Sequence, residues 1–368
     1  MSESPLPLTS DEITVEWLNA ALSESNAFKG ATIRSFEREV IGEGVGFVGE
    51  LSRITLRYDE PSGAAPRSLI AKLPTRDDTV RNIAQVFGFY EREVHFYEEM
   101  AEHVSVRTPK RYYSAMEPGS ARFVLLIEDL APGRCGDQIA SCSLDEAKLA
   151  LTELAKLQAS WWNSPRFAEF TWLPAVDDPI LRQVLAVLYQ QSWPFFVEKF
   201  SGQLPDGIFD VGERFGATFV TLADGLGARP TTIVHTDFRL DNMFFELADG
   251  NPFALVDWQI VQRGLGAGDV TYFLAGNFPI EVRRAHEAEL VRVYHDALLS
   301  HGVSDYDFDQ CWEDYRLAAL FMLIFLVTGR EQVDLGAYNE RAQTLIDTMM
   351  VRYTTAILDL NAAEFLPG

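Results

Sequence analysis

The chain has 368 residues, room for two domains or one two-lobed unit, and its 47% hydrophobic and 23% charged content is that of an ordinary globular protein. A formal charge of -23, from 31 Lys and Arg against 54 Asp and Glu, excludes a general binder of nucleic acid or anionic membrane, since phosphate surfaces need clustered cations. Any phosphate site must be local, built from backbone N–H groups, a metal and one or two cations, and the acidity reads as a solubility effect before a preference for cationic substrates.

Three cysteines, Cys135, Cys142 and Cys311, form no C-x-x-C pair and no metal-ligand spacing, which points to free thiols in a reducing compartment. The N-terminal MSESPLPLTSDE lacks the basic and apolar regions of a signal peptide. The longest apolar run, Leu317 to Val327, has 11 residues, too short to span a bilayer, and reads as a buried helix. A cytoplasmic protein is expected.

In chain order, residues 10–22 carry Ile13, Trp17, Leu18 and Ala21 at helical spacing, so a helix precedes the first lobe. The β-rich runs Ile33 to Ile41, Glu50 to Tyr58, Ser68 to Leu73 and Arg122 to Ile127 follow, interrupted by a helical stretch around Phe87 to His103. Between the first two strands, Gly44, Gly46 and Gly49 spell G-x-G-x-x-G. A dinucleotide-binding loop would have to open a helix, whereas Ser52 to Tyr58 alternates with period two, so the glycines join two antiparallel strands. Such a hairpin can lie close over phosphates and offer them its N–H groups.

Lys72 interrupts the apolar strand Ser68-Leu-Ile-Ala-Lys-Leu-Pro74. Facing solvent it would be a snorkelling edge residue; facing a cleft it would need an acid, and the stretch Phe89 to Tyr97 presents Glu93 beside Glu91 and Glu98 without periodicity choosing among them. The apolar strand Phe123 to Ile127 ends in Glu128-Asp129-Leu130, followed by the turn-rich Ala131-Pro-Gly-Arg-Cys-Gly136. That shift places the division of the chain at 130, into residues 1–130 and 131–368. A capping box, Ser143 with Glu146, opens a helix through Trp162 whose aromatics read as core. Residues 164–230 are mixed, with helix expected at 207–225, and three more helices are expected near 280–300, 307–328 and 339–359.

The chemistry concentrates at residues 233–259. His235, Asp237 and Asn242 form H-x-D-x-x-x-x-N, and Asp257 ends the short apolar run Phe253 to Val256. Phosphoryl transfer to an alcohol needs in-line reactants, neutralised charge and somewhere for the hydroxyl proton to go. Asp237 is the candidate base, Asn242 and Asp257 are oxygen ligands suited to Mg²⁺, and His235 holds the loop. A metal-dependent hydrolase would need more ligands, and His95, His103, His286, His295 and His301 show no ligand-like spacing. The non-enzymatic alternative is a nucleotide-binding pseudokinase, which normally lacks one of these parts.

The order of glycine-rich hairpin, Lys72 strand, Glu93-Val-His-Phe-Tyr97, Ile127-Glu-Asp-Leu130, H-x-D-x-x-x-x-N and Val256-Asp-Trp-Gln259 resembles the aminoglycoside phosphotransferase and choline kinase-like superfamily. The resemblance is nearest to its ecdysteroid kinase-like branch and covers roughly residues 30–330. It implies an α+β, bilobal protein-kinase-like fold, with an antiparallel sheet plus helix in the N-lobe and a mostly helical C-lobe. It implies an ATP- and Mg²⁺-dependent kinase, with GTP possible, acting on a small-molecule alcohol of aminoglycoside, choline or steroid type.

By the same resemblance Gly44 and Gly46 cover the nucleotide, Lys72 contacts its phosphates and pairs with Glu93, and Glu128, Asp129 and Leu130 form the hinge that receives adenine. Asp237 is then the catalytic base, Asn242 and Asp257 bind Mg²⁺, and Asp269 braces the catalytic loop. Two departures stand out: Thr236 replaces the commoner glycine of His-Gly-Asp, and Gln158 stands where relatives often carry His. Both bear on the substrate side of the expected site. No nucleic-acid or membrane partner is expected, and the oligomeric state is open.

Overall fold

The computed structural model describes residues 6–42, 48–60, 65–331 and 340–367. They divide into two compact units, the first comprising Met1–His103, Arg107–Arg134 and Glu246–Gln259, the second Val104–Val106, Cys135–Phe245 and Ile260–Gly368. The boundary expected at 130 thus falls a few residues later, and the segment carrying Asp257 joins unit 1. The Leu255 N–H donates to the Arg107 carbonyl at 2.9 Å, and Arg107 Nε reaches Asp249 Oδ2 at 3.1 Å, which ties that segment in place.

Unit 1 is built on five strands, β1 (Ile33–Ile41), β2 (Gly49–Tyr58), β3 (Ser68–Pro74), β4 (Arg111–Met116) and β5 (Phe123–Glu128), in the order β1-β2-β3-β5-β4. Every pairing is antiparallel. The strands that flank the glycine-rich segment, β1 and β2, pair antiparallel with Ile41 opposite Leu51. Side chains alternate between the faces of a strand. Ile54, Leu69, Ala71, Leu73, Val124 and Leu126 fill one face together with Leu18 and Leu22 of helix α1 (Val15–Leu22). Lys72, between Ala71 and Leu73, must then point to the other face, opposite Leu125 in register.

That other face is covered by α3 (Phe89–His95), which follows α2 (Asp78–Val86); Tyr90 stacks on Phe123 with ring centroids 4.4 Å apart. Neither α2 nor the edge strand β4 stands out in the sequence. Asp77 caps α2 by accepting from the N–H groups of Thr79 and Val80, and Val80, Ile83 and Ala84 form a short apolar stripe at helical spacing, with Val80 and Ala84 buried.

Unit 2 is mostly helical: α4 (Leu144–Ser160), α5 (Pro179–Phe200), α6 (Ile208–Gly225), α7 (Ala267–Asn277), α8 (Ile280–Ser300), α9 (Phe308–Glu331) and α10 (Glu340–Asp359). The capping box opens α4 as expected, with the Ser143 and Glu146 side chains each accepting from the other's backbone. Helix α7 packs on α9, α4 on α8 and α5 on α9. A short ribbon pairs Thr232–Val234 with Gln262–Gly264 antiparallel, and the H-x-D-x-x-x-x-N segment leaves directly from its first strand. Leu317 to Val327 lies within α9. Among the described residues no helix is long and apolar enough to cross a membrane.

Candidate active site

In unit 1, Lys72 Nζ lies 2.7 Å from Glu93 Oε2 and 2.8 Å from Asp257 Oδ1, and Lys72 and Glu93 are buried. Helical geometry explains why the partner is Glu93. Tyr90, Glu93 and Val94 occupy the inward face at i, i+3 and i+4, while Glu91 and Glu98 are exposed. Burial works against the Lys72 ammonium, yet the charges of Asp257 and Glu93 raise its pKa above the usual lysine value. Burial also pushes Glu93 up, to about 7, against the pull of Lys72.

The Val-Asp-Trp-Gln segment supplies more than a carboxylate. The Trp258 backbone N–H bonds to Glu93, and its ring stacks on Phe96 at 4.0 Å, locking the segment to the turn that continues α3. Asp257 itself adopts φ 66, a left-handed conformation that is uncommon for a residue with a Cβ. Gly49 lies against the same lysine. A Cβ there would come within 3.2 Å of Lys72 Cε and 3.1 Å of the Leu73 carbonyl oxygen, so glycine permits the close approach of β2.

The remaining nucleotide residues are placed unevenly. Gly44 and Gly46 lie outside the described residues. Glu128 turns its carboxylate to Arg107 Nη2 at 2.7 Å and to the Lys110 N–H at 3.0 Å, and Asp129 takes Arg53 Nε at 2.8 Å. Their side chains are therefore engaged in ion pairs. The Glu128 N–H donates to Lys110 and the Leu130 carbonyl accepts from Gly133, while the Leu130 N–H has no partner among the described residues.

In unit 2, the Asp237 carboxylate is held on both oxygens. Asn242 Nδ2 donates to Oδ2 at 2.8 Å and Arg239 Nε to the same oxygen at 3.1 Å, while the Tyr272 hydroxyl donates to Oδ1 at 2.8 Å. Burial alone would raise the Asp237 pKa, but the charges of Arg239 and His235 and the bonds from Tyr272 and Asn242 hold it below the usual aspartate value. Because the Asn242 amide nitrogen is committed to Asp237, its Oδ1 is the atom left to meet a cation.

Asp269, in the first turn of α7, accepts the His235 N–H on Oδ2 and the Thr236 N–H on Oδ1, each at 2.8 Å. Those two bonds set the backbone just before Asp237 and leave Thr236 at φ 71. Gln158 sits behind this brace. Its Nε2 donates to Asp269 Oδ2 at 3.2 Å and to the Gly266 carbonyl, and its Oε1 accepts from Tyr294. The expectation that Gln158 bears on the substrate side is corrected: it is buried and supports the loop from within.

Sequence reasoning missed the residues that form a cavity of about 140 Å³ in unit 2. Its walls include Leu181 and Leu185 of α5, Phe219 and Ala223 of α6, and Phe321 and Phe325 of α9, and its polar members are Thr236, Gln262, Asp269 and Tyr272. Tyr272 links cavity and carboxylate, since its ring lines the one and its hydroxyl bonds the other. Burial first, then the neighbouring Asp237 charge, raises the phenol well above its ordinary pKa, so it remains a neutral donor. Asp269, in the glycine-rich turn that opens α7, could have directed attention to Tyr272, three residues along the same helix. Nothing in the pattern of α5 marked its leucines.

The family model for the ecdysteroid kinase-like family matches residues 43–303. No curated protein matches the sequence. Among solved structures, the GDP complex of a mutant aminoglycoside phosphotransferase is 13% identical at a TM-score of 0.56, covering 95% of this chain and 97% of that one. A GDP and kanamycin complex of APH(2'')-IIIa is 15% identical at a TM-score of 0.55, covering 95% of this chain and 99% of that one. A choline kinase from Cryptosporidium parvum Iowa II is 12% identical at a TM-score of 0.55, covering 94% of each. At these identities the likeness establishes the fold: α+β, with an antiparallel sheet, and protein-kinase-like.

Proposed function

Because the chain belongs to the ecdysteroid kinase-like family, we propose that it is an ATP- and Mg²⁺-dependent small-molecule kinase that phosphorylates a hydroxyl of an apolar alcohol. The observation that carries this reading is Asp237 itself: an ionised carboxylate oriented by three donors, one of which, Tyr272, also lines an apolar cavity. An alcohol in that cavity has its hydroxyl next to a fixed acceptor. The acceptor oxygen bonds to the γ-phosphorus, the bond from that phosphorus to the bridging oxygen of the diphosphate breaks, the nucleoside diphosphate leaves, and the hydroxyl proton passes to Asp237. Since its pKa is held low, Asp237 is a weak base, and orienting the hydroxyl is the larger part of its work.

Lys72 would grip the nucleotide phosphates, with Glu93 fixing the ammonium. Leu130, through its unpartnered N–H, is the hinge donor for adenine. The GDP held by two of the similar structures supports a nucleotide donor and keeps GTP beside ATP. Asp257 offers a carboxylate and Asn242 an amide oxygen to Mg²⁺, which commonly takes one or two protein oxygens and completes its shell with water and phosphate. When bound, the metal would neutralise phosphate charge. Among the described residues no three His, Cys, Asp or Glu side chains cluster as a cage, in keeping with that sparse ligation.

The cavity favours an apolar alcohol over an amino-sugar. Its acid, Asp269, is already bonded by His235, Thr236 and Gln158, so no carboxylate among its described lining residues is available to an ammonium group. Incubation with ATP or GTP, Mg²⁺ and a panel of apolar alcohols and amino-sugars, read by phosphorus NMR, tests the proposal. A phosphate monoester of an apolar alcohol is expected. Absence of both nucleotide binding and transfer sinks the kinase reading, and transfer to amino-sugars alone sinks the acceptor class.

A further inference from the structure

Thr236 occupies a backbone conformation that β-branched residues avoid, at φ 71, between His235 and Asp237. The conformation is imposed by the two N–H bonds to Asp269, and a glycine would adopt it without strain. What threonine adds is a hydroxyl beside the candidate base. Gln262 Nε2 donates to Thr236 Oγ1 at 3.0 Å, across the ribbon that joins Val234 to Gln262, and both side chains line the cavity.

That bond leaves a chemical signature. Thr236 Oγ1 accepts from Gln262, so its own proton is available to donate, and the Gln262 Oε1 has no hydrogen-bond partner among the described residues. A donor and an acceptor thus stand side by side in a wall that is otherwise largely apolar. One group satisfies both at once, a hydroxyl, which accepts from Thr236 and donates to Gln262. An apolar ligand lacking it would cover both polar groups without compensation.

We propose that Thr236 and Gln262 are specificity-determining residues that bind a second hydroxyl on an apolar acceptor, on a carbon near the one to be phosphorylated. The inference rests on the kinase reading for the cavity being the acceptor pocket, but binding to the pair can be measured without transfer. The preferred substrate class becomes an apolar diol. Two hydrogen bonds in a partly exposed site, less the desolvation of the hydroxyl, correspond to about a tenfold preference.

The test is a ligand-observed NMR titration of the full chain with trans-1,2-cyclohexanediol and with cyclohexanol. The wild type is expected to bind the diol about tenfold more tightly, although the diol is the more costly to desolvate. In Thr236→Val and Gln262→Leu the preference should collapse toward one, while Thr236→Ser, which keeps the hydroxyl, should retain it. An equal ratio in wild type and both apolar variants, or no diol preference in the wild type, overturns the proposal; should Thr236→Val fail to fold, Gln262→Leu and Thr236→Ser decide alone. Addition of ATP and Mg²⁺ to the same samples separates the two readings. A retained diol preference without transfer would count against the kinase and for the pair, and transfer without preference the reverse.

Discussion

In unit 1 a lysine is clamped between two carboxylates at 2.7 and 2.8 Å, whereas in unit 2 a carboxylate is clamped by an amide, a guanidinium and a phenol at 2.8 to 3.1 Å beside an apolar cavity. The first cluster sets one ammonium against two carboxyl groups, and burial pushes Glu93 up to about 7, so its net charge lies between zero and minus one and a cation at Asp257 would help it accept phosphate. The second is neutral once Arg239 is counted against Asp237, and it adjoins a wall that rewards burial of hydrocarbon. The lesson is a division of labour by physical force. Unit 1 is suited to charge and metal, unit 2 to shape and hydrogen bonding.

The strongest way to break this contrast is Asp237→Asn. Loss of the proton acceptor should lower turnover ~10²–10⁴-fold while nucleotide affinity stays within a few-fold, measured by steady-state kinetics and calorimetry. Normal turnover would remove Asp237 from the chemistry. Next in size is Lys72→Met, which leaves the buried Glu93 and the half-buried Asp257 without their cation. Urea denaturation should show a loss of about 3–5 kcal/mol, and nucleotide binding should weaken while apolar alcohols bind as before. A variant of undiminished stability would mean that water compensates the two acids.

Chelation of Mg²⁺ probes the same net charge from outside. If the unit 1 cluster needs a cation before it accepts phosphate, excess EDTA should weaken nucleotide binding by about 10²-fold and leave alcohol binding untouched. Equal affinity with and without metal would show that Lys72 suffices. The smallest expected effect is that of Ala223→Leu, which extends an apolar side chain into the cavity. Alcohol affinity should fall by about tenfold with nucleotide affinity unchanged, and a leucine variant that binds alcohols normally would place the acceptor elsewhere.

How far the sequence could be read depended on the range of the interactions. β1, β2, β3 and β5 were legible because β-rich composition is a local signal, reinforced in β2 by alternation, and H-x-D-x-x-x-x-N because its spacing is carried on one loop. Periodicity did not choose Glu93 over Glu91 and Glu98, which differ in which face the sheet covers; the resemblance supplied that choice and the ion pair with Lys72 agrees with it. The cavity-lining Leu181 and Leu185 of α5 escaped for a related reason: a leucine facing a cavity and a leucine facing a core leave the same pattern in the chain. Gln158 was visible as a departure, but its partner Asp269 lies more than a hundred residues away, so only the folded chain could assign it to the brace.

By itself, then, the sequence showed a strand-rich first part, a helical remainder and the H-x-D-x-x-x-x-N spacing, and through the order of its motifs a resemblance that implied the fold class, the family and the roles of Lys72, Asp237, Asn242 and Asp257. The tertiary structure alone decided that Asp237 is held at both oxygens, that Thr236 is forced into a left-handed backbone, and that the neighbouring cavity is apolar. Each of those depends on burial and on bonds between distant segments, such as Asp269 to His235 and Tyr272 to Asp237, which no local pattern encodes.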